Sequence, residues 1–217
     1  MKKLAVVIFL LVPLFFAIQE SKAYPLEVGD LIYLLDGPGT TNGGIFKVYA
    51  DDGTFLFDTF CVETDETLST GSSSRFKVGG INDYASLGGS NTDSNDPLDI
   101  KTAWLFYHFT IGDLDTLAGQ SDGYFNAQTG ANELQQAIWY IEQESGGVNN
   151  YLVALAGASG WTDINGVRVI NLLKKDSAGN FTLNAQDLLI TVPEPGILIL
   201  LGIAMSAVGL AARRFRI

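Results

Sequence analysis

The chain has 217 residues and is acidic, with 24 Asp and Glu against 13 Lys and Arg and a formal net charge of −11. This charge argues against nucleic acid as a partner, because binding to phosphates needs a basic surface. The length is sufficient for one self-supporting core and not clearly for two.

The N-terminus has the pattern of a secretory signal peptide. Lys2 and Lys3 precede an apolar run that extends to about Ile18, and Ser21-Lys22-Ala23 then supplies the small-x-small pattern that suits signal peptidase. The apolar run is short for a permanent membrane span. We therefore predict that residues 1–23 are a signal peptide, with a buried N-terminal helix as the alternative.

The C-terminus also points to export. A run without charged residues extends from Gly196 to Ala212 and is followed by a basic end. The run is close to the shortest length that spans a bilayer, so a transmembrane helix is predicted. Basic residues that follow a span stay in the cytoplasm, and this orientation places the preceding chain outside.

This tail resembles the PEP-CTERM sorting signal of Gram-negative bacteria. The resemblance is carried by Pro193, Glu194 and Pro195, by the apolar run, and by Arg213 and Arg214 at the end. It implies processing by an exosortase, transient or permanent anchoring in the inner membrane, and cleavage near Pro193. Release or anchoring at the cell surface would follow, often in an exopolysaccharide or biofilm matrix. An ordinary tail anchor that stays in the membrane is the alternative.

Residues 24–192 remain, and we predict that they form one exported domain of the α+β class. They contain 22 acidic against 7 basic side chains, a net charge of −15. Alternating apolar residues and turn signals predict strands near both ends of the domain and helices in the middle. This order indicates an antiparallel sheet or sandwich with a central helical subdomain. The predicted strands cover residues 31–35, 45–50, 54–63, 75–78, 167–173 and 186–192, and the predicted helices begin at Leu98, Asn132 and Asn149.

Cys61 is the only cysteine of a chain that both termini mark for export. Exported proteins usually carry cysteines in pairs, because an oxidising compartment makes an unpaired thiol a liability. Period-two alternation along the predicted strand places Phe55, Phe57 and Cys61 on one face. Burial as a small core residue is the simplest structural role for this cysteine.

The helix predicted from Asn132 carries the second motif. Its apolar positions recur at helical spacing and end before a pair of glycines: Leu134, Ala137, Ile138 and Ile141. Asn132 is the predicted N-cap, which would place Gln135 in the first turn. A capping role is therefore one interpretation of Gln135.

The two motifs together resemble the bacterial thioester domains of surface adhesins. Phe60-Cys61-Val62-Glu63 matches their cysteine pattern, and the segment from Leu134 to Trp139 matches their glutamine pattern. The resemblance implies an internal thioester between Cys61 and Gln135. The chain departs from the family at Leu134, where threonine is frequent, and in its Gram-negative tail, since the best-known members belong to Gram-positive cell walls.

The chemistry that the resemblance implies needs a shielded site. The cysteine attacks the glutamine carboxamide, ammonia leaves, and an amine on a partner can later open the thioester. Such a bond survives only where water is excluded, and Trp139, Phe55 and Phe57 are the predicted shield. Reaction with the amine leaves an isopeptide bond, so the domain acts once and is not a turning-over enzyme. No cofactor and no metal are predicted.

Two other functions use the same residues. His108, the only histidine, is the candidate general base, and with Cys61 as nucleophile it would make a cysteine hydrolase or a transglutaminase-like enzyme. A structural hydrogen bond is the alternative role of His108. In the other interpretation, the chain is a non-covalent exopolysaccharide or matrix protein with an unreactive Cys61, and it presents Trp161 and Tyr124 to carbohydrate.

Overall fold

Six antiparallel strands form the main sheet of the exported domain. The computed structural model describes residues 26–39, 43–64, 66, 68–87, 95–144 and 150–192. The predicted signal peptide and sorting tail lie outside these residues. Within the described part of the chain, no helix combines the length and the apolar composition needed to cross a bilayer.

Along the described residues, six strands come first, four helices follow, and two further strands end the domain, an order that fits the predicted α+β class. The strands are β1 Leu31–Asp36, β2 Phe46–Ala50, β3 Phe55–Thr59, β4 Phe76–Asn82, β5 Tyr84–Ala85, β6 Asp96–Pro97, β7 Val167–Lys175 and β8 Phe181–Thr191. The helices are α1 Ile100–Ile111, α2 Leu114–Leu117, α3 Gln128–Ile141 and α4 Tyr151–Gly157. The main sheet has the order β3-β2-β1-β4-β7-β8, and β5 pairs with β6. The antiparallel sheet with helices between its strands is thus confirmed.

The β2–β3 hairpin follows directly from its turn sequence. Gly53 has a φ of 90° and donates its N–H to Ala50 O at 3.0 Å. Asp52 Oδ1 accepts a hydrogen bond from Thr54 N at 2.9 Å, which closes the turn with a side chain. Glycine tolerates the positive φ and aspartate caps the turn locally, so the predicted hairpin is confirmed.

Strand β4 is longer and more central than the sequence predicts. It pairs with β1 on one side and with β7 on the other, although only its first residues carry a strand pattern. A pair of glycines such as Gly79 and Gly80 is typical of a loop. In the structure the missing side chain has another purpose, because a Cβ on Gly79 would lie only 2.9 Å from Leu173 Cγ. The glycine therefore permits close packing inside the sheet, and the register shifts between Val78 and Gly80.

The chain beyond β3 connects the two edges of the main sheet. Leu189 N of β8 donates to Phe60 O at 3.2 Å, and Val62 N donates to Asp187 O at 3.0 Å. Cys61 forms an isolated antiparallel bridge with Leu188. Cys61 therefore lies just past the end of β3, where the prediction of one long strand through residue 63 is wrong.

Two hydrophobic clusters divide the domain and meet at this segment. We name them the helix cluster and the sheet cluster. The helix cluster includes Phe60, Val62, Leu105, Phe106, Leu134, Ile138, Val169 and Leu189. The sheet cluster includes Ile32, Leu34, Val48, Cys61, Val78, Ile170, Leu172 and Leu188. Alternation along an extended chain explains why Cys61 lies on the opposite side from its two neighbours.

Helix α3 begins four residues earlier than its sequence predicts. It starts at Gln128, not after Asn132, and Gly130 lies in its first turn. A Cβ at Gly130 would lie 2.3 Å from Tyr124 O, so the glycine permits a close contact within the fold. The predicted capping role of Asn132 is therefore wrong, and Gln135 lies in the middle of the helix.

Candidate functional site

Cys61 and Gln135 are in direct contact although they lie 74 residues apart in sequence. The backbone N–H of Cys61 donates to Gln135 Oε1 at 3.0 Å. In the opposite sense, Gln135 Nε2 donates to the backbone carbonyl of Cys61 at 2.8 Å. One carboxamide therefore binds both backbone polar groups of the cysteine residue.

Neighbouring elements hold this contact from both sides. Gln135 is 1% exposed because it lies on the buried stripe of α3, next to Leu134. On the opposite edge of the segment that carries Cys61, the backbone groups of Phe60 and Val62 form hydrogen bonds with β8. The carboxamide thus takes the place that a neighbouring strand would occupy, and the buried backbone groups of Cys61 have partners.

The thiol of Cys61 lies in an apolar environment. The residue is 5% exposed and belongs to the sheet cluster. Burial raises the pKa of the Cys61 thiol well above its ordinary value, and the nearby charge of Glu63 raises it further. Gln135 lies about 10 Å along the axis of α3 from the first residue of the helix, so the positive end of the helix dipole is not at this contact and does not lower the pKa of the thiol.

Trp139 packs beside the contact. It lies one helical turn after Gln135, is half-buried and packs against the sheet cluster. Its Nε1 donates to Glu63 O at 3.1 Å, which fixes the indole over the chain segment that carries Cys61. Trp139 therefore lies beside the segment that carries Cys61, one turn along α3 from Gln135.

The backbone at Gly43 closes the same side. A Cβ on Gly43 would lie 2.7 Å from Gln135 Cγ and 2.7 Å from Trp139 Cη2. Its φ of 144° also disfavours other residues. The absence of a side chain at this position lets the chain before β2 pack directly on the glutamine and the indole.

The two predicted phenylalanines have different environments. Phe57 is half-buried and packs against the sheet cluster that contains Cys61. Phe55 is 48% exposed, and its ring packs edge-on to Tyr49 at 5.5 Å between centroids. Lys47 Nζ lies 5.6 Å from the centre of the Phe55 ring. The structure therefore brings Phe57, and not Phe55, towards the cysteine side of the sheet.

His108 belongs to an aromatic group in the helix layer. Its Nδ1 lies 2.7 Å from Asp113 Oδ1, and its ring lies 4.5 Å from that of Trp104 between centroids. Trp161 is 5.9 Å away on the same basis. The structure thus pairs His108 with Asp113, just past the end of α1.

Three acidic side chains near Cys61 form a cluster that sequence reasoning missed. Carboxylate oxygens of Glu63, Glu66 and Asp187 lie within 4.8 Å of one another, a donor set that could hold a cation. Asp187 is fully buried and accepts hydrogen bonds from Ser86 N at 2.5 Å and from Asn171 Nδ2 at 2.7 Å. Burial, with a smaller contribution from Glu66, raises the pKa of Asp187 to about 6. The sequence does carry one signal for this cluster: Asp187 is a charged residue within the apolar pattern of β8.

Comparison with known proteins identifies the C-terminal segment only. Residues 191–216 match the PEP-CTERM protein-sorting motif. The motif implies an exported protein that an exosortase sorts toward the cell surface. No curated protein and no solved structure matches the chain. The match begins at the last residue of β8, so the motif follows the folded domain directly.

Proposed function

We propose that this chain is an exported cell-surface or matrix protein in which Cys61 and Gln135 form an internal thioester. The thioester reacts once with an amine on a surface or matrix partner, such as a lysine side chain. The observation that carries the proposal is the pair of hydrogen bonds between the Gln135 carboxamide and the Cys61 backbone. The contact supports the proposal because it brings the Gln135 side chain to the residue that carries the thiol, with Trp139 and Gly43 packed beside it.

The reaction exchanges two bonds without a cofactor. Cys61 Sγ forms a bond to Gln135 Cδ, the Cδ–Nε2 bond breaks, and the thiol proton leaves with the nitrogen as ammonia. In the second step the amine nitrogen bonds to Cδ, the Cδ–Sγ bond breaks, and a proton from the amine restores the thiol. The products are an isopeptide bond at Gln135 and a free Cys61. Atoms and charge balance in both steps.

Holding the two groups together lowers the entropic cost of the first step. Groups that are fixed in reactive proximity avoid the cost of a bimolecular encounter. The raised pKa of the Cys61 thiol means that the proton must leave as the S–C bond forms, not in a separate ionisation. Gln135 must also turn its carbonyl carbon from the Cys61 backbone toward the sulfur.

Exclusion of water supports the lifetime of the product. Cys61 and Gln135 are 5% and 1% exposed, and Trp139 and Gly43 close the surface above them. A thioester in such a site is protected from hydrolysis, while a partner that displaces the indole edge would reach Gln135 Cδ. In this proposal Trp139 both protects the thioester from water and controls when an amine can reach it.

A non-covalent matrix protein is the second candidate, and one observation favours it. The same two hydrogen bonds give Gln135 a sufficient structural role, since they satisfy buried backbone groups of Cys61. In that case Cys61 is a core residue and no covalent step occurs. A cysteine hydrolase has less support, because His108 packs among Trp104 and Trp161 in the helix layer whereas Cys61 belongs to the sheet cluster.

Intact mass spectrometry of the purified chain tests the proposal. We expect wild type to be lighter than its sequence by one ammonia, and we expect Cys61→Ala and Gln135→Glu to have their full masses. Gln136→Glu is the matched control, because this exposed neighbour undergoes the same chemical change and should keep the thioester. Full mass for wild type, with a thiol that titrates after denaturation, would instead support the non-covalent candidate.

Methylamine provides the second measurement. We expect one methylamine to add at Gln135 of wild type and to release the Cys61 thiol, with no addition to Cys61→Ala. A turning-over enzyme would consume excess amine and substrate and regenerate its starting mass. Peptide mapping of the adduct identifies the modified residue.

A further inference from the structure

A cleft in the helix layer lies apart from the thioester site. It opens between the start of α1 and the end of α4 and has a volume of about 460 Å³. This volume is within the range of small-ligand sites in proteins. Its lining combines apolar, charged and hydroxyl groups, among them Leu98, Asp99, Lys101, Ser159 and Trp161.

The indole of Trp161 is held in position within this cleft. It is half-buried, and its ring packs against Tyr107 at 5.4 Å and His108 at 5.9 Å between centroids. Its backbone N–H donates to Ser159 Oγ at 3.3 Å. The hydrogen bond between His108 and Asp113 fixes the imidazole ring against which the indole packs. A ligand would therefore meet an aromatic surface that costs little entropy to order.

Polar groups lie beside this aromatic surface. Asp99 Oδ1 accepts from Lys101 N at 2.7 Å, and the Asp99 backbone N–H donates to Glu142 Oε1 at 3.2 Å. These bonds hold the Asp99 carboxylate at the cleft, and the side chain of Lys101 is exposed beside it. The cleft thus presents a carboxylate, an ammonium and a hydroxyl next to an indole.

We propose that this cleft binds a neutral pyranose unit of a glycan. A pyranose has an apolar C–H face that packs on an indole and a rim of hydroxyls that bond to charged and polar groups. The net charge of −15 for residues 24–192 opposes anionic sugars, so neutral units are favoured over uronic acids. The proposal is independent of the thioester, because the two sites share no residue.

Calorimetric titration of the full-length chain tests the cleft, with cellotriose, maltotriose and triacetylchitotriose as probes. A detergent without a sugar headgroup avoids competition. We expect saturable binding of at least one probe, weakened at least about tenfold by Trp161→Ala because the aromatic anchor is lost. Phe55→Ala, which removes another accessible aromatic ring, is the matched control and should bind like wild type.

Two further variants keep the test decisive. Asp99→Asn retains the side-chain oxygen that caps α1, so the fold persists while the charge at the cleft is lost, and we expect weaker binding. Cys61→Ala should bind normally, which separates this proposal from the thioester. Absence of saturable binding for all three probes, or equal binding by wild type, Trp161→Ala and Asp99→Asn, would overturn the proposal.

Discussion

The Cys61–Gln135 contact and the Trp161 cleft differ in how their polar groups are satisfied. In the contact, buried donors and acceptors bind each other behind Trp139 and Gly43. In the cleft, charged groups of Asp99 and Lys101 face an open cavity beside a fixed indole. The first arrangement protects a bond from water, and the second leaves polar groups available to a ligand. Substitutions should therefore affect folding at the contact and binding at the cleft.

The largest effect on folding is expected for Gln135→Ala. Relative to wild type in the unreacted form, in which Gln135 keeps its amide, the variant leaves the buried N–H and C=O of Cys61 without their partner, and each lost bond of this kind costs about 1–3 kcal/mol. We expect the free energy of unfolding to fall by about 2–4 kcal/mol in urea titrations. Gln136→Ala, at the exposed neighbouring position, should change it by less than about 0.5 kcal/mol. Equal effects of the two variants would contradict the structural importance of the contact.

Gly43→Ala tests the cover of the contact. The new methyl group would lie 2.7 Å from Gln135 Cγ and from the Trp139 ring, so both must move. We expect a loss of about 1–3 kcal/mol in unfolding free energy. If the thioester has not formed, the Cys61 thiol should also react faster with a maleimide. Gly179→Ala is the control, since this glycine also has a positive φ but its Cβ would meet no atom within 4 Å in the described structure.

Glu142→Gln tests the buried wall behind the open cleft. Burial raises the pKa of Glu142 to about 8, above its ordinary value of 4.5. The native state therefore holds a proton that the unfolded state releases in this range, and stability falls as the pH rises from about 4.5 to 8. Asp187, with its pKa raised to about 6, contributes the same sign over the lower part of this range.

We expect Glu142→Gln to remove about 2–4 kcal/mol of this pH dependence in chemical denaturation between pH 5 and 8, since each unit of pKa shift corresponds to about 1.4 kcal/mol. The slope that remains below about pH 6 should come from Asp187. Asp122→Asn, at an exposed carboxyl remote from the single histidine in sequence, serves as the control and should leave the slope between pH 6 and 8 unchanged. A wild type whose stability rises over this interval would contradict the assignment.

Trp161→Ala should have the smallest effect on folding. Its ring is half-buried and packs at the margin of the helix cluster, against Tyr107 and His108, so we expect a change of about 1 kcal/mol. Thermal unfolding measures this change beside that of Gln135→Ala. A larger loss at Trp161 than at Gln135 would reverse the comparison between the two regions.

Local sequence signals predicted the parts of the fold that local chemistry determines. Asp52 and Gly53 specify their hairpin turn, and the apolar stripe of α3 identified its buried face. The predicted start of α3 was wrong because Gly130, a poor helix former, lies in the first turn, where it permits a close contact with Tyr124 in the turn just before the helix. Strand β4 was underestimated because its glycines pack in the sheet, where tertiary contacts override local propensity.

The candidate site was predictable only in part. The spacing of Cys61 and Gln135 does not itself indicate proximity, and their pairing came from a family resemblance. Their contact depends on the packing of α3 beside the segment that crosses from β3 to β8, a long-range arrangement. The buried acid Asp187 could not be placed near Glu63, because no local pattern reports which loops meet.

The position of the sorting motif has a mechanical consequence. The motif begins at Thr191, and the next residue, Val192, is 9% exposed and donates its backbone N–H to Gly166 O at 2.6 Å. A pull on the tail is therefore transmitted straight into β8. Strand β8 pairs with β7 from Thr191 back to Phe181, so the tail is joined to the domain through a strand that is paired along most of its length. Force on the tail would therefore act on the sheet itself and not on a loop.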